Sequence, residues 1–259
     1  MKLEDATAFT AKCFRGDPAS CVHACPFHMD IRSFLGQAAR GRWGPAYKLL
    51  RNATVFPGIV AVLCDQPCRE CCQRTVLGDE PIALRNVEAA VLRYAKDRKP
   101  ETYVIPPKDK RIAVVGAGPA GLSLALNLAQ KKFQVTAFEK ENGWGGSLRS
   151  HPRFAEFDAD LALQFSTVAV EFRFGTEIKS LDKLADYDAV YVATGAAGNS
   201  FGLLESWDKD LLTTAAPKVF LGGELGGATL MEGIAQGIDA SKIIEIFLQT
   251  GKAARPHAD

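Results

Sequence analysis

Apolar residues follow two different rhythms along this chain. Beyond about residue 106 they come in short runs, continuous at Ile112-Ala113-Val114-Val115 and 189–192, with further strands expected at 134–138 and 170–174. Runs of that length predict strands buried on both faces of a parallel sheet. Helix-period positions lie between and after them. Leu122, Ala125, Leu126 and Ala129 follow the first run, and Leu230, Ile234, Ile238, Ile244 and Phe247 form a stripe on a closing helix expected from Leu225 onward. In the first hundred residues the pattern is helical: 31–40 and 43–51 predict short helices separated by Gly41, and 85–96 places Val87, Ala90, Val91 and Tyr94 on one face. The chain therefore predicts an α/β protein with an all-helical domain over 1–105 and an alternating strand–helix domain over 106–259. Residues 96–110 are charged and carry Pro100, Pro106 and Pro107, which suits a solvated connector better than a basic binding patch.

The turn after the first strand carries the chemistry of the second domain. Gly116-Ala117-Gly118-Pro119-Ala120-Gly121 opens a helix, and the next strand ends at Glu139, about 20 residues on. A Gly-x-Gly-x-x-Gly in that strand–turn–helix setting predicts a Rossmann-like dinucleotide site. The glycines turn the chain and let backbone N–H groups approach a pyrophosphate at the helix N-terminus. Glu139, followed by Lys140, is placed to accept hydrogen bonds from an adenosine ribose. A glycine-rich turn without a ligand is the alternative.

Composition narrows the classes. The 259 residues suffice for one large or two small domains. With 31 basic and 30 acidic residues, no nucleic-acid partner is suggested. There is no apolar run long enough to span a membrane and no signal peptide, so a cytoplasmic protein is expected.

All seven cysteines lie between Cys13 and Cys72. An odd, clustered set without a secretion signal argues for metal or cluster ligation rather than disulfides. The groups are Cys13, Cys21 and Cys25-Pro26, then Cys64, Cys68, Cys71 and Cys72. Short spacings ending in Cys-Pro suit iron–sulfur clusters. Zinc competes, since Cys68-x-x-Cys71 is half a tetrahedral site, but seven cysteines exceed one zinc site.

Several further motifs resemble the two-dinucleotide flavoproteins. Gly143-Trp144-Gly145-Gly146 resembles their segment along FAD, Ala193-Thr194-Gly195 their Ala-Thr-Gly turn, and Gly223-Glu224 their second FAD motif, with Glu in place of Asp. The N-terminal domain resembles the glutamate synthase small subunit and the N-terminal region of dihydropyrimidine dehydrogenase. The resemblance rests on Cys25-Pro26, Asp30-Ile31, Gly41, Ala46, Asn52, Phe56-Pro57, Cys64, Cys68 and Cys72 in one order.

That resemblance implies FAD and two interleaved [4Fe–4S] clusters. One would use Cys13, position 16, Cys21 and Cys72; the other Cys25, Cys64, Cys68 and an oxygen ligand falling on Glu88. The family has cysteine at position 16 and this chain has Gly16. Cys71 or Asp17 as substitute, a three-iron cluster, or an empty site all remain open, and the second cluster is the better defined. His23 is expected at the surface or behind the ligands. The family's NAD(P)H domain is inserted between the Ala-Thr-Gly turn and the second FAD motif. Here about 27 residues separate Gly195 from Gly223, fewer than the roughly 30 of one βαβ unit, so that domain is expected to be absent.

The function implied is an electron-transfer subunit of a larger oxidoreductase, anaerobic in setting, relaying electrons between FAD, cluster and partner redox subunits. The alternatives are a self-sufficient NAD(P)H-dependent flavin oxidoreductase, and an assembly module whose cofactors do no chemistry. No nucleophile–base constellation is present, which fits a relay.

Overall fold

The computed structural model describes residues 7–8, 10–14 and 19–256. It divides into two units, Met1–Lys99 and Pro100–Asp259. The first contains helices α1 (Ser20–Ala24), α2 (Ile31–Ala39), α3 (Trp43–Thr54), α4 (Pro57–Leu63), α5 (Gln73–Val76) and α6 (Leu84–Tyr94). Local chemistry starts and stops them. The Asp30 carboxylate accepts the Ser33 N–H at 3.0 Å and caps α2. Gly41 takes the left-handed conformation (φ 67°) that turns the chain towards α3. Pro57 occupies the first turn of α4, where its missing N–H costs nothing.

The apolar stripes of α2, α3 and α6 meet in one core around Phe34, Leu35, Tyr47, Leu50, Val87 and Val91. Trp43 packs its ring on Tyr94 at 5.5 Å. Cys25 and Cys68 belong to this core, and Cys13, Cys21 and Cys72 pack at its margin. The cysteine loops are thus built onto this hydrophobic core.

The second unit is a five-stranded parallel sheet: β1 (Arg111–Val115), β2 (Gln134–Phe138), β3 (Glu171–Arg173), β4 (Ala189–Val192) and β5 (Val219–Leu221), in the order β3-β2-β1-β4-β5. Central β1 runs in register with β2 (Ile112 beside Val135) and with β4 (Ile112 beside Ala189). Its four apolar residues are buried because helices cover both faces of such a sheet. Helix α7 (Pro119–Gln130) follows β1, α8 (Phe154–Phe165) joins β2 to β3, and α9 (Leu230–Thr250) closes the chain. No regular element spans 95–110. Between Gly195 and Gly223 lie a short 3-10 turn, Leu203–Ser206, and β5 itself, with one antiparallel bridge from Thr213 to Phe220 of β5. Among the described residues, no helix is long and apolar enough to cross a membrane.

The closing helix begins at Leu230, five residues after the start the apolar stripe suggests. Gly223–Gly226 forms a 3-10 turn, Gly227 turns left-handed at φ 83°, and Thr229 then caps α9. The Thr229 hydroxyl accepts the Glu232 N–H at 3.3 Å, while the Glu232 carboxylate accepts the Thr229 N–H at 2.8 Å. A reciprocal cap fixes the first turn more strongly than one apolar residue upstream can extend it.

Helix α9 packs closely against α7. The buried Ser123 hydroxyl lies 2.9 Å from both the Ala120 and the Ile234 carbonyls, linking the two helices. A Cβ at Gly237 would overlap the Ser123 Oγ and the Ala120 carbonyl. Ala120 is backbone and cannot swing away. Gly237→Ala is therefore expected to destabilise the fold by about 1–3 kcal/mol through overpacking. A lowered urea midpoint with unchanged slope is the expected reading, and adding Ser123→Ala should restore only part of it.

Candidate functional site

A crevice of about 460 Å³ opens at the carboxyl ends of the strands. It lies where the chain reverses direction across the sheet between β1 and β4, the usual ligand position in open α/β sheets. Gly116, Gly118, Pro119 and Ala120 line it from the turn after β1, Glu139 and Lys140 from the end of β2, and Ala193, Thr194 and Gly195 from the end of β4. Gly146 and Glu224 complete the sequence-predicted lining.

Backbone approach explains the glycines. Gly116 has φ 105°, and a Cβ there would strike the Ala193 carbonyl, so the β1 and β4 loops touch backbone to backbone. A Cβ at Gly118 would meet only the Gly146 Cα at 3.8 Å. Gly118 also has ordinary extended backbone at the cap of α7, so its missing side chain leaves room in the crevice rather than relieving the fold. Gly121, Gly145 and Gly223 stand behind the lining. Gly121 packs on the Gly116 carbonyl, Gly145 donates its N–H to the Ala117 carbonyl at 2.9 Å, and Gly223 donates to Gln236 Oε1 at 2.8 Å.

Glu139 has work to do within the fold as well as at the pocket wall. Its Oε2 accepts the Ala117 N–H at 2.8 Å and its Oε1 the Glu141 N–H at 3.0 Å. A carboxylate has about four acceptor positions, so two remain for a ligand. Ser147 donates to Glu224 Oε1 at 2.9 Å, tying the glycine loop to the segment before α9. Leu230 and Gly233 bring the first turn of α9 to the crevice, where the helix N-terminus contributes partial positive charge.

Motif reading leaves out Glu141, Ser147, Arg149, Ser150, Ala196, Ala197 and Gly198, all of which line the crevice. Most flank a predicted motif by a few residues, a signal too weak to single them out. Arg149 is the informative member, because it brings a guanidinium to a pocket built from backbone N–H groups; its Nη1 donates to the Trp144 carbonyl at 3.2 Å.

The cysteines of the first unit fall into two sets, and all seven are free thiols. Cys25, Cys64 and Cys68 are buried beside Glu88 of α6. Burial pushes the Cys64 thiol up to about 11 and the Cys68 thiol up to about 12, with Glu88 and the neighbouring thiols adding to both. Cys25 is raised by burial too, partly offset by the backbone N–H groups of Met29, Phe27 and His28. Burial carries Glu88 up to about 7 against the pull of Arg85. Glu88 is only 3% exposed and its Oε2 has no hydrogen-bond partner, so the site holds a buried acceptor with nothing to accept.

Arg85 braces the loop facing that helix: its guanidinium donates to the Cys64 carbonyl, and its N–H donates to Gln66 Oε1 at 3.1 Å. Gln66 in turn points its N–H at the Cys64 sulfur at 3.4 Å. Three thiols and an orphaned carboxylate in a dry site are a donor set that a cationic iron centre would neutralise. The residues fit a [4Fe–4S] cluster.

Cys13, Cys21, Cys71 and Cys72 line a second pocket, together with Arg32 and Arg74. Burial raises the Cys21 thiol, and Cys13, Cys71 and Cys72 raise it further. Gly16 and Asp17 lie outside the described residues. His23 is exposed. Among the described residues, no three His, Cys, Asp or Glu side chains are placed to hold a single metal ion.

Comparison with known proteins agrees with this division. Residues 1–100 match the family of dihydropyrimidine dehydrogenase domain II, 4Fe-4S cluster, and residues 114–171 the NAD(P)-binding Rossmann-like domain. The chain is 32% identical over 216 residues to the NADP(+)-dependent formate dehydrogenase subunit beta of Moorella thermoacetica, covering 70% of this chain and 30% of that one. It is 35% identical over 192 residues to the glutamate synthase [NADPH] small chain of Mycobacterium tuberculosis, covering 68% and 38%. The Escherichia coli glutamate synthase [NADPH] small chain is 28% identical over 228 residues, covering 82% and 47%. The chain thus spans 30% to 47% of the length of these three relatives.

The Ala117 N–H is buried and has Glu139 as its acceptor. Glu139→Ala should therefore cost about 1–3 kcal/mol of stability by leaving that donor unpaired. Chemical unfolding of ligand-free protein should register the loss, and an unchanged midpoint would show that the carboxylate has no part in closing the turn.

Proposed function

The chain unites a dihydropyrimidine dehydrogenase domain II-type iron–sulfur domain with a Rossmann-like dinucleotide domain, and on that premise we propose that it is the electron-transfer subunit of a larger oxidoreductase. FAD occupies the crevice of the second unit, and the cysteine sites of the first hold [4Fe–4S] clusters. Bound there, FAD exchanges electrons in pairs or singly and a cluster exchanges one at a time, so the chain converts between the two.

The observation that carries the reading is the crevice itself. It offers backbone N–H groups and a helix N-terminus for a pyrophosphate, Glu139 for a ribose, and no nucleophile–base pair for chemistry of its own. Gly116 and Gly118 let the backbone come close, and Arg149 adds a cation on the same wall. Glu224, held by Ser147, supplies an acceptor at the far side for the ribityl chain. In the first unit, Gln66 and the N–H groups beside Cys25 donate towards sulfur, which tunes the potential of a cluster by hydrogen bonding.

The 193–218 connection is too short for a second dinucleotide unit, so we take the nicotinamide-binding domain to be absent from this part of the chain. Electrons then reach the flavin from another redox subunit or leave towards it. The proposed setting is the cytoplasm, where thiols stay reduced, under oxygen-poor conditions. The match of residues 114–171 to an NAD(P)-binding domain favours a second reading, in which NAD(P)H reduces the flavin directly.

Two measurements test these points. Gly118→Val adds a side chain whose Cβ makes only ordinary contact within the protein, on the Gly146 Cα, and which would take the space of a bound pyrophosphate. The variant should fold with native circular dichroism and lose at least nine-tenths of its flavin absorption; full retention would remove the pyrophosphate from that turn. Stopped-flow mixing of the isolated chain with NADH and with NADPH should give no fast, saturable flavin bleaching, while dithionite reduces flavin and clusters alike. Rapid saturable bleaching by either nucleotide would establish the second reading instead.

A further inference from the structure

Seven thiols and one carboxylate sort in this structure into two sets of four. Cys25, Cys64 and Cys68 share their buried site with Glu88. Cys13, Cys21 and Cys72 share their pocket with Cys71. The motif spacing leaves Cys71 surplus and position 16 without a thiol. We propose that these two irregularities compensate, and that Cys71 is the fourth ligand of the cluster held by Cys13, Cys21 and Cys72. The proposal rests on the cluster reading given above and extends it to the donor that the sequence left undecided.

Three features of the pocket support the assignment. First, the chain is pinned so that distant cysteines meet. The Arg74 guanidinium donates to the Lys12 carbonyl at 2.9 Å and sits over the Phe14 ring at 5.3 Å, which holds the strand of chain bearing Cys13 against the helix that follows Cys72. Second, the turn that precedes α5 lets neighbouring residues face one space. Cys72 is extended (φ −65°, ψ 124°) after the tight 3-10 turn Pro67–Arg69, so Cys71 and Cys72 both reach the pocket wall. Third, the Cys71 sulfur makes only weak contacts, to the Cys68 carbonyl at 3.5 Å and the Pro67 carbonyl at 3.9 Å. A thiol held so loosely loses little on turning to iron.

Charge also suits the assignment. A cluster with four thiolates carries net negative charge, and Arg32 and Arg74 line this pocket. On loading, each of the four thiols releases a proton to solvent and forms one Fe–S bond, and ferrous and ferric iron in equal parts combine with sulfide to give the doubly charged core without a further oxidant or reductant.

The experiment is anaerobic reconstitution of the full chain with ferrous and ferric iron in equal parts and sulfide. Metal and acid-labile sulfide analysis follows, with electron paramagnetic resonance of the oxidised and dithionite-reduced forms. Two complete cubane sites require about eight irons per chain. Cys71→Ser should lose between one and four irons while keeping the signal of the second site, and Gly16→Cys combined with Cys71→Ser should regain them. Anaerobic alkylation of the unaltered loaded chain gives a reading independent of variant folding. Cys71 should be protected while iron is bound and labelled after chelation and unfolding, as read by peptide mass spectrometry.

Cys71→Ser with unchanged iron and resonance, wild-type protein holding only about four irons, or alkylation of Cys71 in the loaded chain would each overturn the assignment. A wild-type chain that takes up no iron at all would instead overturn the cluster reading beneath it.

Discussion

Backbone packed directly on backbone is the constraint from which the dinucleotide unit follows. Where β1 ends, the chain must leave room for β4's Ala193 carbonyl on one side and the Gly146 loop on the other, with no side chain between them. Gly116 makes the first contact possible, and Gly146, whose Cβ would strike the Gly118 Cα, makes the second. Once the segments are that close, the Ala117 peptide is shut away from water, and both its polar groups need partners. Glu139 takes the N–H and Gly145 donates to the carbonyl. The same carboxylate that a ribose would meet is therefore part of what holds the empty turn in shape.

Helix α9 is subject to a related constraint. It approaches α7 closely enough that Gly237 has no space for a methyl group, and Ser123 bridges the two helices through the Ala120 and Ile234 carbonyls. That close approach brings the α9 N-terminus to the crevice. The Thr229–Glu232 cap satisfies its first turn locally, so the start of the helix does not depend on a ligand. The cradle is preorganised, which lowers the entropy lost when a large cofactor binds.

In the iron–sulfur unit the governing term is desolvation. Three thiols and a carboxylate gathered in a dry interior resist ionisation, as the raised Cys64, Cys68 and Glu88 values indicate. Apolar packing from α2, α3 and α6 sets the site, and Arg85 locks its loop. A metal centre would reverse the balance, because its positive charge compensates thiolates and a carboxylate that burial alone keeps protonated.

The sequence by itself determined the alternation of strand and helix after residue 106, the glycine-rich turn that opens α7, the acid at the end of β2 and the clustering of cysteines. Each of these is a local matter: apolar run length, glycine spacing and the position of Glu139 are decided within about 30 residues. It did not place α9, since the stripe from Leu225 continues through the Gly223–Gly226 turn and only the Thr229 cap distinguishes coil from helix. Nor did it settle Glu88, whose helical spacing suits an exposed acid equally well, whereas packing buries it with an unpaired oxygen. Cys71 is the clearest instance. Its neighbours in sequence suggest half a zinc site with Cys68, yet the tertiary fold places it in the pocket of Cys13 and Cys21, some 50 residues away. Which sulfurs share a site depends on long-range chain closure through contacts such as Arg74 to Lys12, and no local pattern encodes that.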